Sequence, residues 1–236
     1  MPDKKKKAKT PSKHRSNRAW IARHINDPYV QAATREGYRS RAAYKLIEID
    51  KRDRILRPGS VVIDLGAAPG SWSQVVVERL SKQAAGKPNE GSNPGSSGRV
   101  IALDILAMDP IAGVEVVQGD FRESAVMASL AETLHGAQVD LVLSDMAPNL
   151  SGIGVADAAR NAHLWELALE FALKHLNAEG HLLVKTFQGS GHSQFVQLLK
   201  RHFRRVVTRK PPASRSESAE TYLLASGRKE SSAGGA

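Results

Sequence analysis

The chain has 236 residues with an ordinary apolar share of 41%, enough for one buried core, and a prior of roughly 100–200 residues per domain favours a single catalytic unit. It holds no cysteine, which excludes disulfides, thiolate metal sites and the covalent cysteine adduct that methylation of a pyrimidine C5 requires. The longest apolar runs, such as Val61–Leu65, are strand-sized against the ~20 residues of a membrane span, and lysines follow Met1, so a soluble, cytoplasmic protein without membrane association is expected.

The formal charge of +10 is concentrated at the start, where Met1–His24 carries nine Lys/Arg against one Asp. Residues 1–19 lack hydrophobic periodicity and read as a disordered basic arm, which serves either a polyphosphate partner through counterion release or solubility alone. The folded domain is expected over residues 20–229. It begins with a helix over Ser40–Asp50, followed by strand Val61–Leu65 and helix Ser71–Leu80. Ser81–Gly98, rich in Gly, Ser, Pro and Asn, reads as a flexible insertion. Strands Val100–Leu103 and Val114–Val117, helix Glu123–Leu134, strand Val139–Ser144, helix Ala158–Leu176, strand His181–Thr186 and helix Ser193–His202 follow. Strands Arg205–Thr208 and Thr221–Ala225 close the domain, and residues 230–236 form a disordered tail. Seven strands alternating with helices specify a doubly wound, Rossmann-like α/β sheet, mostly parallel. The last two strands have no helix between them and predict an antiparallel strand at one edge.

Ligands of open α/β sheets bind beyond the carboxyl ends of the strands. Here those ends carry Asp64-Leu65-Gly66-Ala67-Ala68-Pro69-Gly70, then Asp104, Asp120 and Asp145. Gly66 and Gly70 allow the backbone to bend and approach a ligand, and Asp104 is placed to accept from a ribose diol. A lone glycine or aspartate is more often a turn or a cap; four such positions at successive strand ends favour a site. A dinucleotide-binding site would need G-x-G-x-x-G for its phosphates, which the chain lacks. S-adenosylmethionine, an adenosine with a sulfonium and no phosphate, fits the loop better.

Lys45, Asp145, Lys185 and Glu220 are the candidate reaction centre. Lys185 lies inside an apolar strand, where burial is costly unless the charge is paired or lost. Each residue alone could be a plain ion pair. Together they suit methyl transfer to a ribose 2′-hydroxyl, a poor nucleophile that must be held in line with the methyl group and helped to lose its proton. Lys185 is the expected base, Asp145 its orienting partner, and Lys45 and Glu220 tune charge and hold the ribose. No metal is expected. In Ser144-Asp145-Met146-Ala147-Pro148-Asn149, Ala147 and Asn149 replace the first proline and the aromatic of the Asn/Asp-Pro-Pro-aromatic motif of exocyclic-amine methyltransferases, which favours oxygen as the acceptor.

Several blocks resemble the FtsJ/RrmJ family of large-subunit ribosomal RNA methyltransferases: Ser40–Leu46, Asp64–Gln74, Met108–Ile111, Gln118–Phe121, Ser144–Asn149 and Val184–Gly189. The similarity spans about Trp20–Lys229. It departs from the family's pattern at Ser71, where a second glycine is frequent, and in the Ser81–Gly98 insertion. The resemblance implies methylation of a uridine ribose in the A-loop of 23S ribosomal RNA, in the assembled large subunit or a late precursor; a monomer is the expected state. It carries a Lys-Asp-Lys-Glu tetrad onto Lys45, Asp145, Lys185 and Glu220, and S-adenosylmethionine contacts onto Gly70, Trp72, Asp104, Asp120 and Asp145. Composition alone would make Trp72 a packing residue. Basic residues flanking the site in sequence, Arg35, Arg39, Arg41, Lys51–Arg57, Lys200–Arg205, Arg209, Lys210 and Arg215, are candidate phosphate contacts or plain solvated faces. Tyr38 and Tyr44 could stack an unpaired base or belong to the core.

Overall fold

The computed structural model describes residues 24–85, 98–148 and 154–229. The basic arm, most of the glycine-rich insertion, Asn149 and the tail lie outside these residues. In chain order the elements are α1 (Pro28–Glu36), α2 (Ala42–Asp53), β1 (Val61–Leu65), α3 (Ser71–Ala85), β2 (Arg99–Asp104), β3 (Val114–Gln118), α4 (Ser124–Thr133), β4 (Val139–Ser144), α5 (Gly154–His175), β5 (Leu176–Phe187), α6 (His192–His202), β6 (Phe203–Arg209) and β7 (Glu220–Arg228).

All seven expected strands form one sheet, ordered β3-β2-β1-β4-β5-β7-β6. Strands β1 to β5 pair in parallel, whereas β7 runs antiparallel to both β5 and β6. The antiparallel pair is thus at the expected edge, with the reversed strand β7 one position in and β6 outermost. The switch in strand order falls between β1 and β4, which places a cleft beyond their carboxyl ends.

Alternation along the strands divides the apolar residues between two faces. Ile63, Leu65, Val142, Leu182, Val184 and Leu223 belong to the core shared with α5 and α6. Val62, Leu141, Leu143, Leu183, Tyr222 and Leu224 face the other core, with Leu46 of α2 and Trp72 of α3. Strands β1, β2, β4, β5 and β7 are therefore buried along most of their length, as a sheet under two helical layers must be, while the edge strands β3 and β6 stay largely exposed or half-buried.

Several element ends differ from the sequence reading by a few residues, and three differences have a local cause. Helix α3 runs to Ala85, five residues into the segment read as flexible: Lys, Gln and Ala favour a helix, and Lys82 pairs with Glu78 one turn back. Strand β5 begins at Leu176, whose partner is Val139, and a register shift before Leu141 absorbs Asn177–Gly180. Helix α1 was not anticipated. Asp27 caps it by accepting from the Tyr29 amide at 3.0 Å, Pro28 sits at its first turn, and Gly37 closes it at φ 78°.

Candidate active site

The chain leaves β1 through Gly66, whose φ of +74° is accessible to glycine at little cost; an added Cβ would stand 2.6 Å from Met146 Cγ and 3.0 Å from Met146 Cα. The loop after β1 thus passes directly against the loop after β4, and the amide of Asp145 donates to Leu65 O at 3.2 Å. Between these loops and the ends of β2 and β3 lies a cleft of about 640 Å³, whose lining includes Gly66, Ala68, Asp104, Asp120, Arg122, Asp145, Met146, Arg160 and His163. That volume suits a nucleoside-sized ligand.

The chemistry of the lining fits S-adenosylmethionine. The Asp104 carboxylate is fixed by the amides of Ala68 (2.9 Å) and Leu106 (2.8 Å), one on each oxygen, and each oxygen keeps a further lone pair for a diol. Asp120 receives the Arg122 amide at 2.9 Å and its guanidinium at 2.5–3.0 Å, and these bonds hold its carboxyl below the usual range. Ile105 and Leu106 present exposed apolar side chains at the cleft, as an adenine face requires.

Below the cleft, Asp64 is fully buried. Its Oδ2 accepts from the Ser73 hydroxyl at 2.7 Å, while Oδ1 has no hydrogen-bond partner among the described residues. Burial, together with the charges of Asp145 and Asp104, outweighs the Ser73 hydrogen bonds and pushes its carboxyl up to about 7.

The structure brings the four expected reactive residues together. Lys185 lies opposite Tyr222 in the β5–β7 ladder, and Phe187 lies opposite Glu220. Lys185, Tyr222 and Glu220 therefore share the face covered by α2, from which Lys45 reaches in. Lys185 is 8% exposed; its Nζ donates to the Asp145 carbonyl and lies 3.2 Å from Asp145 Oδ1. Lys45 Nζ lies 2.7 Å from Glu220 Oε1. The Tyr222 hydroxyl joins the two pairs, 2.9 Å from Asp145 Oδ1 and 3.2 Å from Glu220 Oε1. Having one proton, it donates to one carboxylate at a time. Burial and the two carboxylates push the Tyr222 phenol far above its ordinary range, so it stays neutral. Burial alone would raise Glu220, but Lys45, the Ser214 hydroxyl at 3.0 Å and Lys185 outweigh it and hold the carboxyl below its ordinary value.

Two expected cofactor residues stand apart from the cleft lining. The Trp72 ring is 3% exposed, packs on Tyr222 with centroids 5.6 Å apart, and donates Nε1–H to Ala42 O at 2.8 Å. It is the packing residue that composition suggests. Gly70, at φ +104°, faces the side chains of Ile111, Met108 and Arg39, each within 2.9 Å of where a Cβ would sit.

The candidate phosphate contacts are also sorted by the structure. Arg39 donates to the carbonyls of Pro69 (2.8 Å), Asp109 (2.8 Å) and Pro110 (2.9 Å), fastening the Gly70 loop to the segment after β2. Arg41 binds Asp27 and Ala213 O, and Arg209 holds Asp53 through Nε (2.7 Å) and Nη2 (2.6 Å). These three guanidinium groups are committed inside the fold. Tyr38 and Tyr44 pack edge to face, 5.8 Å apart, and the Tyr38 hydroxyl donates to Glu78 at 2.5 Å, so both belong to the helical layer. Tyr222 and Ser214 carry no site signal in the sequence, and Asp64 stands there only as part of the strand-end motif. The alternation of β7 put Tyr222 on the Glu220 side, but no sequence signal showed which neighbour its hydroxyl would reach.

The comparisons with known proteins agree with this geometry. Residues 38–228 match the FtsJ-like methyltransferase family. The chain is 56% identical over 214 residues to the ribosomal RNA large subunit methyltransferase E of Burkholderia mallei, covering 90% of this chain and 96% of that one, and the same figures hold for the protein of that name from Paraburkholderia phymatum. Among solved structures, a Plasmodium falciparum protein described as a ribosomal RNA methyltransferase is 31% identical, superposes with a TM-score of 0.68, and covers 81% of this chain and 98% of its own. The chain belongs to the FtsJ-like methyltransferase family and is an S-adenosylmethionine-dependent methyltransferase.

Proposed function

We propose that this enzyme methylates the 2′-hydroxyl of a uridine in the A-loop of 23S ribosomal RNA, acting as a monomer in the cytoplasm on the assembled large subunit or a late precursor. The relatives' shared name supports large-subunit ribosomal RNA as the acceptor. The observation that carries the choice of a hydroxyl is the continuous chain Lys45–Glu220–Tyr222–Asp145–Lys185 beside the cleft.

Asp104 and Asp120 would hold the ribose and adenine of S-adenosylmethionine, with Asp145 at the reacting end. Trp72 would contribute its backbone amide, since the first amides of α3 lack intrahelical partners, whereas Gly70, whose amide donates to Ala67 O at 2.6 Å, would contribute the close approach that a residue without Cβ allows. The cofactor supplies an electrophilic methyl group. Everything else falls to the protein: bringing the hydroxyl into line, excluding water and receiving a proton. In its neutral form the Lys185 amine has two N–H groups and one lone pair. Donation to the Asp145 carbonyl and to Oδ1 uses both N–H groups, which leaves the lone pair for the ribose hydroxyl. Lys45 and Glu220, paired at 2.7 Å, hold the acceptor side of the site without adding net charge.

The test is methyl transfer from labelled S-adenosylmethionine to large subunits from cells lacking this gene, followed by mapping of alkali-resistant linkages. A single 2′-O-methyluridine in the A-loop is expected, and Lys185→Ala should lower kcat by about 10²–10⁴-fold, the usual worth of a general base, while still binding cofactor. Near-normal turnover by the folded variant would remove Lys185 from the role of base. Label absent from ribosomes despite cofactor binding would point to another RNA.

A further inference from the structure

The far end of the sheet carries a second concavity of about 640 Å³, lined by Lys51, Arg54, Arg57 and Arg79 together with Asp50 and Asp53. It lies where α2 ends and the chain turns into the start of β1, opposite to the strand ends that form the active site. We propose that this notch binds the phosphate backbone of the RNA substrate, at a part of the RNA distant from the reacting ribose; the inference rests on the RNA-methylating reading above.

The two acids in the lining are already committed. Asp53 gives both oxygens to Arg209 (2.7 and 2.6 Å), and Asp50 accepts the Leu56 amide at 2.9 Å with Arg79 3.8 Å away. Lys51, Arg54 and Arg57 are exposed and form no salt bridge among the described residues. A cation at a helix C-terminus is favoured by the helix dipole, which accounts for Lys51. It does not account for Arg57, on the following connection, or Arg79, on α3, which converge on the same hollow.

Arg54 provides a second, independent sign. It occupies the position after α2 with φ 52° and ψ 52°, and its amide donates to Asp50 O at 2.8 Å. Glycine or asparagine is favoured in this left-handed conformation, and a long side chain there carries backbone strain. Strain of this kind points to a role for the side chain. Guanidinium forks suit phosphate oxygens, which accept in pairs. From Lys45 to Arg54 the helix advances roughly 13 Å, at about 1.5 Å per residue. A phosphate in the notch therefore belongs to a different nucleotide from the one being methylated, and only an RNA large enough to reach both places engages both.

The triple variant Lys51→Gln/Arg54→Gly/Arg57→Gln tests this, because glycine relieves the left-handed position and the fold should keep its Tm. With unmethylated large subunits, KM should rise about tenfold while kcat and affinity for S-adenosylmethionine stay at wild-type values. In a salt titration of subunit binding, the slope of log K against log salt should fall by about 2–3, close to one per lost phosphate contact. An unchanged KM with an unchanged slope would overturn the proposal and leave these charges to the helix end. If the wild type binds subunits but transfers no methyl group, the RNA-methylating reading fails and the two slopes still decide the notch. A wild type that binds no subunits overturns the notch as well.

Discussion

At the scale of the residue, Tyr222 and Asp64 do what sequence reasoning did not foresee. Tyr222 fills the core beside Trp72 while its hydroxyl lies within hydrogen-bond reach of the carboxylates of Asp145 and Glu220. Tyr222→Phe preserves the apolar ring and removes one donor to a charged pair, so we expect a stability loss of about 1–3 kcal/mol. Methyl transfer should fall at least about tenfold, since a loss of about 1.4 kcal/mol in transition-state stabilisation has that effect. Denaturant unfolding and steady-state kinetics would measure the two effects, and unchanged kinetics would confine Tyr222 to packing. Asp64 holds its proton up to about 7 in the folded chain, whereas an unfolded aspartate releases it at about 4. The folded state binds the extra proton between these values, so stability falls as pH rises through that window and the full cost is present above it. Asp64→Asn, which mimics the neutral acid, should flatten this dependence. Thermal unfolding at pH 5 and pH 8 would show it as a smaller difference in Tm than in the wild type.

At the scale of the element, the site depends on loops packed against each other at the strand ends. Gly66 must turn left-handed at a place where an added Cβ would stand 3.0 Å from the Met146 backbone. Gly66→Ala should cost about 1–2 kcal/mol from backbone conformation alone, and more from displacing Met146. Cofactor affinity should fall with it, as isothermal titration would record; wild-type affinity would mean that the two loops can part without harm. The strands were legible because they alternate with helices and because parallel strands buried on both faces read as short apolar runs. Helix α1 carried its signals in Asp27-Pro28 and Gly37, but it is only nine residues long and buries only Ala33, so few positions mark its inner face. The end of α3 is hidden in the sequence because its last residues run without a break into the glycine-rich segment.

At the scale of the whole molecule, charge and shape act together. A net charge of +10, with cations near both the cleft and the far notch, predicts RNA affinity that falls steeply with salt. A filter-binding or anisotropy titration should give a line in log K against log salt, and a slope near zero would contradict a phosphate-contacting surface. Arg39, Arg41 and Arg209 should contribute little to that slope, because their guanidinium groups are spent on backbone carbonyls and carboxylates of the protein itself.

The sequence by itself determined the strand and helix alternation and the acidic strand ends, and it singled out Lys45, Asp145, Lys185 and Glu220 as candidates, because each is written in local periodicity or in a short motif. Only the tertiary structure decided which residues act as partners. Lys45 meets Glu220 across 175 positions, and Tyr222 meets Asp145 across 77, because α2 packs on the sheet face to which β7 turns Glu220 and Tyr222. The same folding decided which arginines are consumed inside and which remain free to meet phosphate. Side-chain direction and burial follow from contacts distant in the chain, and no local pattern encodes them.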